Sequence, residues 1–207
     1  IVEYNPDVDL SVVDQAYIYS ARVHHGQVRL SGETYLSHPL EVAYILAEMK
    51  LDVEIIAAGL LHDVIEDTHA TADDIREIFG SGITHIVEGV TKLSKISQQT
   101  SKARQAESLK KMILAMADDI RVIMIKLADR VHNMRTLKFH TKEASKKRIS
   151  QETIDIYSPI AARLGIYWIK NELENIAFMH LKKEEYENVD QLVMKSMEGK
   201  SLHIDKF

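Results

Sequence analysis

Residues 59–68, GLLHDVIEDT, set four ionisable side chains into an otherwise apolar run. His62 and Asp63 are adjacent, and Glu66 and Asp67 follow one helical turn later. Isolated charges in such a run are expensive to bury. At about 100° per residue, Asp63 lies near 100°, Glu66 near 40° and Asp67 near 140° from His62, so the four share an arc of roughly 140°. Leu60, Leu61 and Val64 occupy most of the remaining circumference. A neutral imidazole beside a carboxylate is a ligand pair suited to a divalent transition metal. A helix whose acidic edge faces water has the same pattern, and spacing alone leaves both readings open.

Two further polar groups stand elsewhere in the chain. In KLADRVHNMRTL, Asp129 and Asn133 are four apart and Thr136 is three beyond, so all three share one helical face. An ordinary solvated helix surface fits that spacing equally well. His132 and His140 carry no local signal and read as exposed or core histidines. In RLSGETYLSHP, His38 immediately precedes Pro39, which places it at a helix entry with its backbone pushed out of the α region. Arg29 lies in the loop before it, where it can meet a phosphate or a base.

These groups must be positioned by helices. The chain of 207 residues is 45% hydrophobic and 28% charged, ordinary for a globular protein with a sizeable core. With 8 Gly and 3 Pro there are few obligatory breaks, which favours long helices over many short strands. A net charge of −5 argues against a broad nucleic-acid surface but leaves room for a local basic pocket. The absence of cysteine excludes disulfides and thiolate metal sites, and suits the cytoplasm. No apolar run approaches the roughly 18 residues that a membrane helix needs. The start at Ile1 reads as part of something longer.

Along the chain, Ser11 and Asp14 predict a capping box that opens a helix running up to Gly26. Residues 27–39 read as a loop, and Pro39 as the first position of a helix with Val42, Ile45, Leu46 and Met49 inside. Residues 53–67 are apolar nearly all round and predict one central, buried helix. Thr71 and Asp74 predict a second capping box, with Gly80 and Gly82 ending a short helix. A helix over 83–93 is followed by a polar, mobile loop over 92–102. Ala106, Leu109, Met112, Ile113 and Met116 form a helical stripe, and 120–137 reads as helix throughout. After a charged stretch at 142–148, helices are expected over 149–164, 167–181 and 184–197, with Gly165 as a break. The fold class is all-α.

His38, the pair His62 and Asp63, and Asp129 occur in this order and resemble the H…HD…D signature of the HD-domain metal-dependent phosphohydrolases. A wider resemblance covers residues 10–190. HHGQVRLSGETYLSHPLEVAYIL, AAGLLHDVIEDT, VEGVTKLSKI, IKLADRVHNMRTL and ETIDIYSPIAARLGIYWIKNELENIAF are similar to the hydrolase domain of the RelA/SpoT homologues. The resemblance implies an HD-domain helical bundle of about ten helices over residues 1–197. Residues 198–207 would begin a linker towards a downstream synthetase domain, with scope for intramolecular contact.

The activity so implied is Mn²⁺-dependent hydrolysis of the 3′-pyrophosphate of guanosine 3′,5′-bis(pyrophosphate), ppGpp or pppGpp, in the bacterial stringent response. The products are GDP or GTP and pyrophosphate. Carried over by position, His38, His62, Asp63 and Asp129 hold one Mn²⁺, and Glu66 and Asp67 activate or orient the hydrolytic water. Arg29 packs on the guanine base, while Asn133 and Thr136 line the nucleotide pocket. Lys92, Lys95 and Lys126 are candidates for the leaving pyrophosphate. Leu30 departs from the basic residue that many relatives carry there. The implied partner is a small nucleotide, with neither nucleic acid nor membrane. Two rivals stay open: an HD phosphohydrolase acting on another nucleotide, and a non-catalytic module that binds alarmone.

Overall fold

The computed structural model describes residues 1–97, 110, 114 and 118–204, without the side chains of 95–97 and 196–204. Among them the elements are helices, plus a lone antiparallel bridge between Val28 and Thr34. The chain divides into two compact units, Ile1–Phe139 and His140–Phe207.

In the first unit the central element is α3 (Val53–Leu61). Asp52 starts it by accepting hydrogen bonds from the backbone N–H groups of Glu54 (3.0 Å) and Ile55 (3.1 Å). Every residue from Ile55 to Leu61 is buried, as an all-round apolar sequence requires. It packs against α1 (Ser11–Val23), α2 (Ser37–Glu48), α5 (Ala72–Ser97) and α6 (Ile120–Arg135), and α2 packs against α6 as well. Gly59 permits the approach of α2: a Cβ there would stand 2.5 Å from the buried Leu46 Cδ1. Val42, Ile45 and Leu46 line the inner face of α2, as their spacing predicts.

Several local expectations are corrected. The expected Ser11–Asp14 box does not form, because Asp9 captures both the Ser11 N–H and its hydroxyl at 2.9 Å. The helix then ends at Val23, ahead of Gly26. Pro39 is the third helical residue rather than the first, because a turn through Thr34 and Tyr35 feeds the Ser37 and His38 N–H groups. The helix expected over 53–67 is broken at His62 and Asp63, and α4 (Val64–Asp67) is a separate single turn. The His62 imidazole bonds to the Gly59 carbonyl at 2.8 Å, the acceptor that a continuing helix would give to the Asp63 N–H. The Thr71–Asp74 capping box forms as read, with bonds of 2.7 and 3.2 Å. Gly80, at φ 79° and ψ 173°, leaves the helical conformation and ends the first helical run as expected; a second run starts directly beyond it, so α5 is two helices joined at a kink. Residues 92–97, read as loop, are helical: Leu93 is buried, and Thr91 and Ser94 bond back to the Val87 and Val90 carbonyls. Positions 98–102 and the stripe Ala106, Leu109, Met112, Ile113 and Met116 lie outside the described residues.

The second unit opens with α7 (Glu143–Glu152), passes through a wide turn at Thr153–Tyr157 into α8 (Ser158–Arg163), and continues as α9 (Tyr167–Leu181) and α10 (Lys183–Ile204). Ile156, Tyr157, Ile160, Ile169 and Leu173 form its core. Gly165, at φ 75°, makes the expected break. The last helix continues through 198–204. Among the described residues no helix is long and apolar enough to cross a membrane.

Candidate metal centre

His62 is fully buried, and its Nδ1 faces the Gly59 carbonyl at 2.8 Å. The proton therefore sits on Nδ1, and Nε2 presents a lone pair. Asp63 Oδ2 lies 3.0 Å from that Nε2, yet the two make no hydrogen bond of acceptable geometry. A lone pair directed at a carboxylate in a dry site is unstable until a cation stands between them. A proton on Nε2 is the simplest such cation: burial opposes charging His62, but Asp63, with Asp129 behind it, lifts its pKa to about 9. The site attracts positive charge.

Two more elements converge on this point. His38, near the start of α2, places Nε2 at 3.3 Å from Asp129 Oδ1 and 3.5 Å from Asp63 Oδ2. Its Nδ1 meets His132 Nδ1 at 2.7 Å inside the core. Burial, reinforced by the facing His38 ring and by Arg29, pushes His132 down to about 3, which keeps it a neutral acceptor. With His38 Nδ1 as the donor, its Nε2 lone pair also faces the cluster. Ligand atoms of His38, His62 and Asp129 all lie within 4.8 Å of one another. Burial disfavours the Asp129 carboxylate, yet Lys126 at 2.6 Å and the two imidazoles hold it ionised, far below the usual carboxylate range. Asp63 is likewise held well below that range against burial by His62 and His38. Imidazole lone pairs and ionised carboxylates facing one another are the donor set of a divalent metal of the Mn²⁺, Fe²⁺ or Zn²⁺ type, so the residues present fit such an ion. His132 then fixes the His38 tautomer from behind.

The remaining candidates fall around this cluster unevenly. Glu66 is half-buried with Oε1 unpartnered, and burial, then the neighbouring Asp63 and Asp67, raise its pKa despite a bond from Ser94. Asp67 is exposed at the end of α4, and its carboxylate accepts from Tyr35. Arg29 donates to Asn133 Oδ1 at 3.1 Å, and Asn133 donates to Asp129 Oδ1 at 2.5 Å, so Asn133 touches the centre and Arg29 stands one hydrogen bond behind it. Thr136 caps α6, and its hydroxyl donates to the His132 carbonyl at 3.0 Å. Lys126 is buried and tied to Asp129 and to Ser94 Oγ at 3.0 Å. Lys92 is exposed, and the side chain of Lys95 lies outside the described residues. Leu30 is 74% exposed beside Arg29. Spacing gave no hint of His132 or Tyr35; both meet their partners across long stretches of chain. A cavity of about 720 Å³ lies elsewhere, in the second unit, where Lys146, Lys147 and His180 face Glu143, Glu184 and Tyr186. None of the candidate residues lines it.

The HD domain family matches residues 16–167, which include all four His and Asp positions. The chain belongs to the HD domain family. Within the HD domains it is similar to a GTP pyrophosphokinase of Myxococcus xanthus, 58% identical over 90% of this chain and 25% of that protein. It is 50% identical to the bifunctional (p)ppGpp synthase/hydrolase SpoT of Escherichia coli, over 93% of this chain and 27% of the relative. Among solved structures, a metazoan orthologue of SpoT that hydrolyses ppGpp shares 26% identity at a TM-score of 0.56, covering 84% of this HD domain chain and 93% of its own. The chain spans about a quarter of the length of the curated relatives it matches.

Proposed function

We propose that this chain is a metal-dependent (p)ppGpp hydrolase, removing the 3′-pyrophosphate of ppGpp or pppGpp to leave GDP or GTP. The observation that carries the reading is the convergence of His38, His62 and Asp129, with ligand atoms within 4.8 Å, in a chain 50% identical to a SpoT enzyme. His38, His62, Asp63 and Asp129 hold the ion, taken as Mn²⁺ for its tolerance of a mixed nitrogen and oxygen set. A divalent ion there neutralises charge on the phosphoryl group under attack and acidifies water.

The protein groups do the rest. Glu66, whose pKa burial raises, and Asp67, at the cluster edge, accept or return the proton. Arg29, steadied by Asn133, offers a planar cation to the base, and Thr136 lines the same side. Lys126 already neutralises Asp129, so we assign it to charge balance within the centre rather than to the leaving pyrophosphate. On this reading residues 1–197 are the hydrolase and 198–207 lead towards a synthetase domain with which it makes intramolecular contact. The protein acts in the bacterial cytoplasm on a small nucleotide.

The test is direct. The purified chain, loaded with Mn²⁺, is incubated with ppGpp and with ordinary nucleotides, and pyrophosphate release is followed. Release from ppGpp is expected. Release from other nucleotides alone makes it a different HD phosphohydrolase, and binding without turnover under any divalent ion makes it a regulatory module.

A further inference from the structure

The segment over residues 24–35 contacts the end of α4 twice, and neither contact follows from the metal-ligand set. The Tyr35 hydroxyl lies 3.1 Å from Asp63 Oδ2 and closer still to Asp67 Oδ2. From the other side, Gln27 Nε2 donates to the Asp67 carbonyl at 2.9 Å. Buried His24 joins the two grips. Its ring stacks on Tyr35 with centroids 4.4 Å apart and planes 17° from parallel, and its Nδ1 meets Gln27 Oε1 at 2.9 Å. The Tyr35 N–H bonds to the Gln27 carbonyl at 3.0 Å, which closes the segment on itself.

Asp67 needs such a hold. It ends a helix of 4 residues, its side chain is exposed, and it sits close to a second carboxylate, Asp63. Two anions sharing one edge repel, and an exposed carboxylate is free to turn to water. The phenol's single proton, bifurcated between the two carboxylates, offsets the repulsion and holds both. Tyr35 has only that one polar atom to offer, and the stack on His24 aims it.

We propose that Tyr35 is a positioning residue of the centre: its hydroxyl ties Asp67 to Asp63, so that the ligand carboxylate and its neighbour on α4 keep one geometry. The role rests on the metal-dependent hydrolysis proposed above, and the test separates the two. The 207-residue chain, Tyr35→Phe, Asp67→Asn and the double variant are titrated with Mn²⁺ alone, then assayed on ppGpp at saturating Mn²⁺. Tyr35→Phe keeps the ring on His24 and removes only the hydroxyl. It is expected to weaken Mn²⁺ binding about tenfold through Asp63, and to lower kcat about 10–100-fold through Asp67. KM for ppGpp should stay within about twofold, since no ground-state contact to substrate is removed. In the Asp67→Asn background the same change should take little more from kcat, because the two residues act as one unit. An unchanged Mn²⁺ isotherm overturns the proposal, as does a kcat loss of equal size in both backgrounds. A wild-type chain that binds Mn²⁺ but spares ppGpp overturns the hydrolase reading instead, and the isotherms still decide the tie between Tyr35 and Asp63. A chain that binds no Mn²⁺ overturns both.

Discussion

Charge is handled in opposite ways in the two units of the chain. In the second unit ion pairs join near neighbours in sequence: Lys146 with Glu143 at 2.8 Å and Lys170 with Glu174 at 2.7 Å within a helix, and Lys182 with Glu185 at 3.2 Å at a helix start. Each is spaced three or four residues apart and has at least one partner exposed to water, so each is individually weak. The first unit has such pairs too, as between Arg76 and Asp73, but at its centre charges from α2, the junction of α3 with α4, and α6 meet inside the core. There the cost of desolvation is high, and Lys126 alone does not balance Asp63 and Asp129. A solvated pair stabilises its own helix; an inward-facing cluster with excess negative charge is built for a cation.

The sharpest test of that contrast removes one inward carboxylate. Asp63→Ala is expected to lose bound metal and ppGpp turnover together, measured by metal analysis and pyrophosphate release on the same preparation. Retention of a stoichiometric ion would place Asp63 outside the ligand set and shift the burden to His38, His62 and Asp129. Glu66→Gln should behave differently. It is expected to keep the metal while kcat falls about 10²–10⁴-fold, the usual range for a positioned acid or base. Metal loss in that variant would make Glu66 a ligand, a role its unpartnered Oε1 could fill.

These differences explain what could be read before folding and what could not. The Thr71–Asp74 box and the Gly165 break were legible because their chemistry is complete within four residues. The adjacency of His62 and Asp63 was legible for the same reason, but it left metal binding undecided, and the family pattern was needed to add His38 and Asp129. His132 was passed over as an ordinary histidine because its partner, His38, is 94 residues away. Tyr35 was missed because nothing local marks a phenol that reaches Asp63 and Asp67 across 28 and 32 residues. The break at His62 was invisible to periodicity, since a side chain, not a backbone group, takes the Gly59 carbonyl. The common face inferred for His62, Asp63, Glu66 and Asp67 therefore holds only in outline: two turns at different pitch bring them to one edge.

Packing at Gly59 gives the next effect in size. An alanine Cβ would stand 2.5 Å from Leu46 Cδ1, and Leu46 is fully buried, so its side chain has to shift within the core. Gly59→Ala should therefore cost about 1–3 kcal/mol of stability, the range for overpacked cores, read by denaturant unfolding of the metal-free chain. The displaced segment carries His62 and its acceptor carbonyl, so weaker metal binding should accompany the loss. A neutral substitution would mean that α2 and α3 are less tightly seated than the contact implies.

The smallest effect is expected where charges face out. Lys170 Nζ meets Glu174 Oε2 at 2.7 Å, but Ser158 Oγ also donates to Glu174 at 2.5 Å, so removing the lysine leaves the carboxylate with a partner and with water. Lys170→Ala should cost about 0.5 kcal/mol or less, after screening at this open site. Lys170 and then Ser158 hold the Glu174 carboxyl below its ordinary value. A lowered folded-state pKa contributes stability that is present at neutral pH and is lost as pH falls through the carboxylate range. The difference in melting temperature between Lys170→Ala and the parent should therefore be small at neutral pH and vanish on acidification. A cost equal to that of Gly59→Ala, or one indifferent to acid, would show that the outward pairs carry structural weight of their own, and the division between solvated and inward charge would fail.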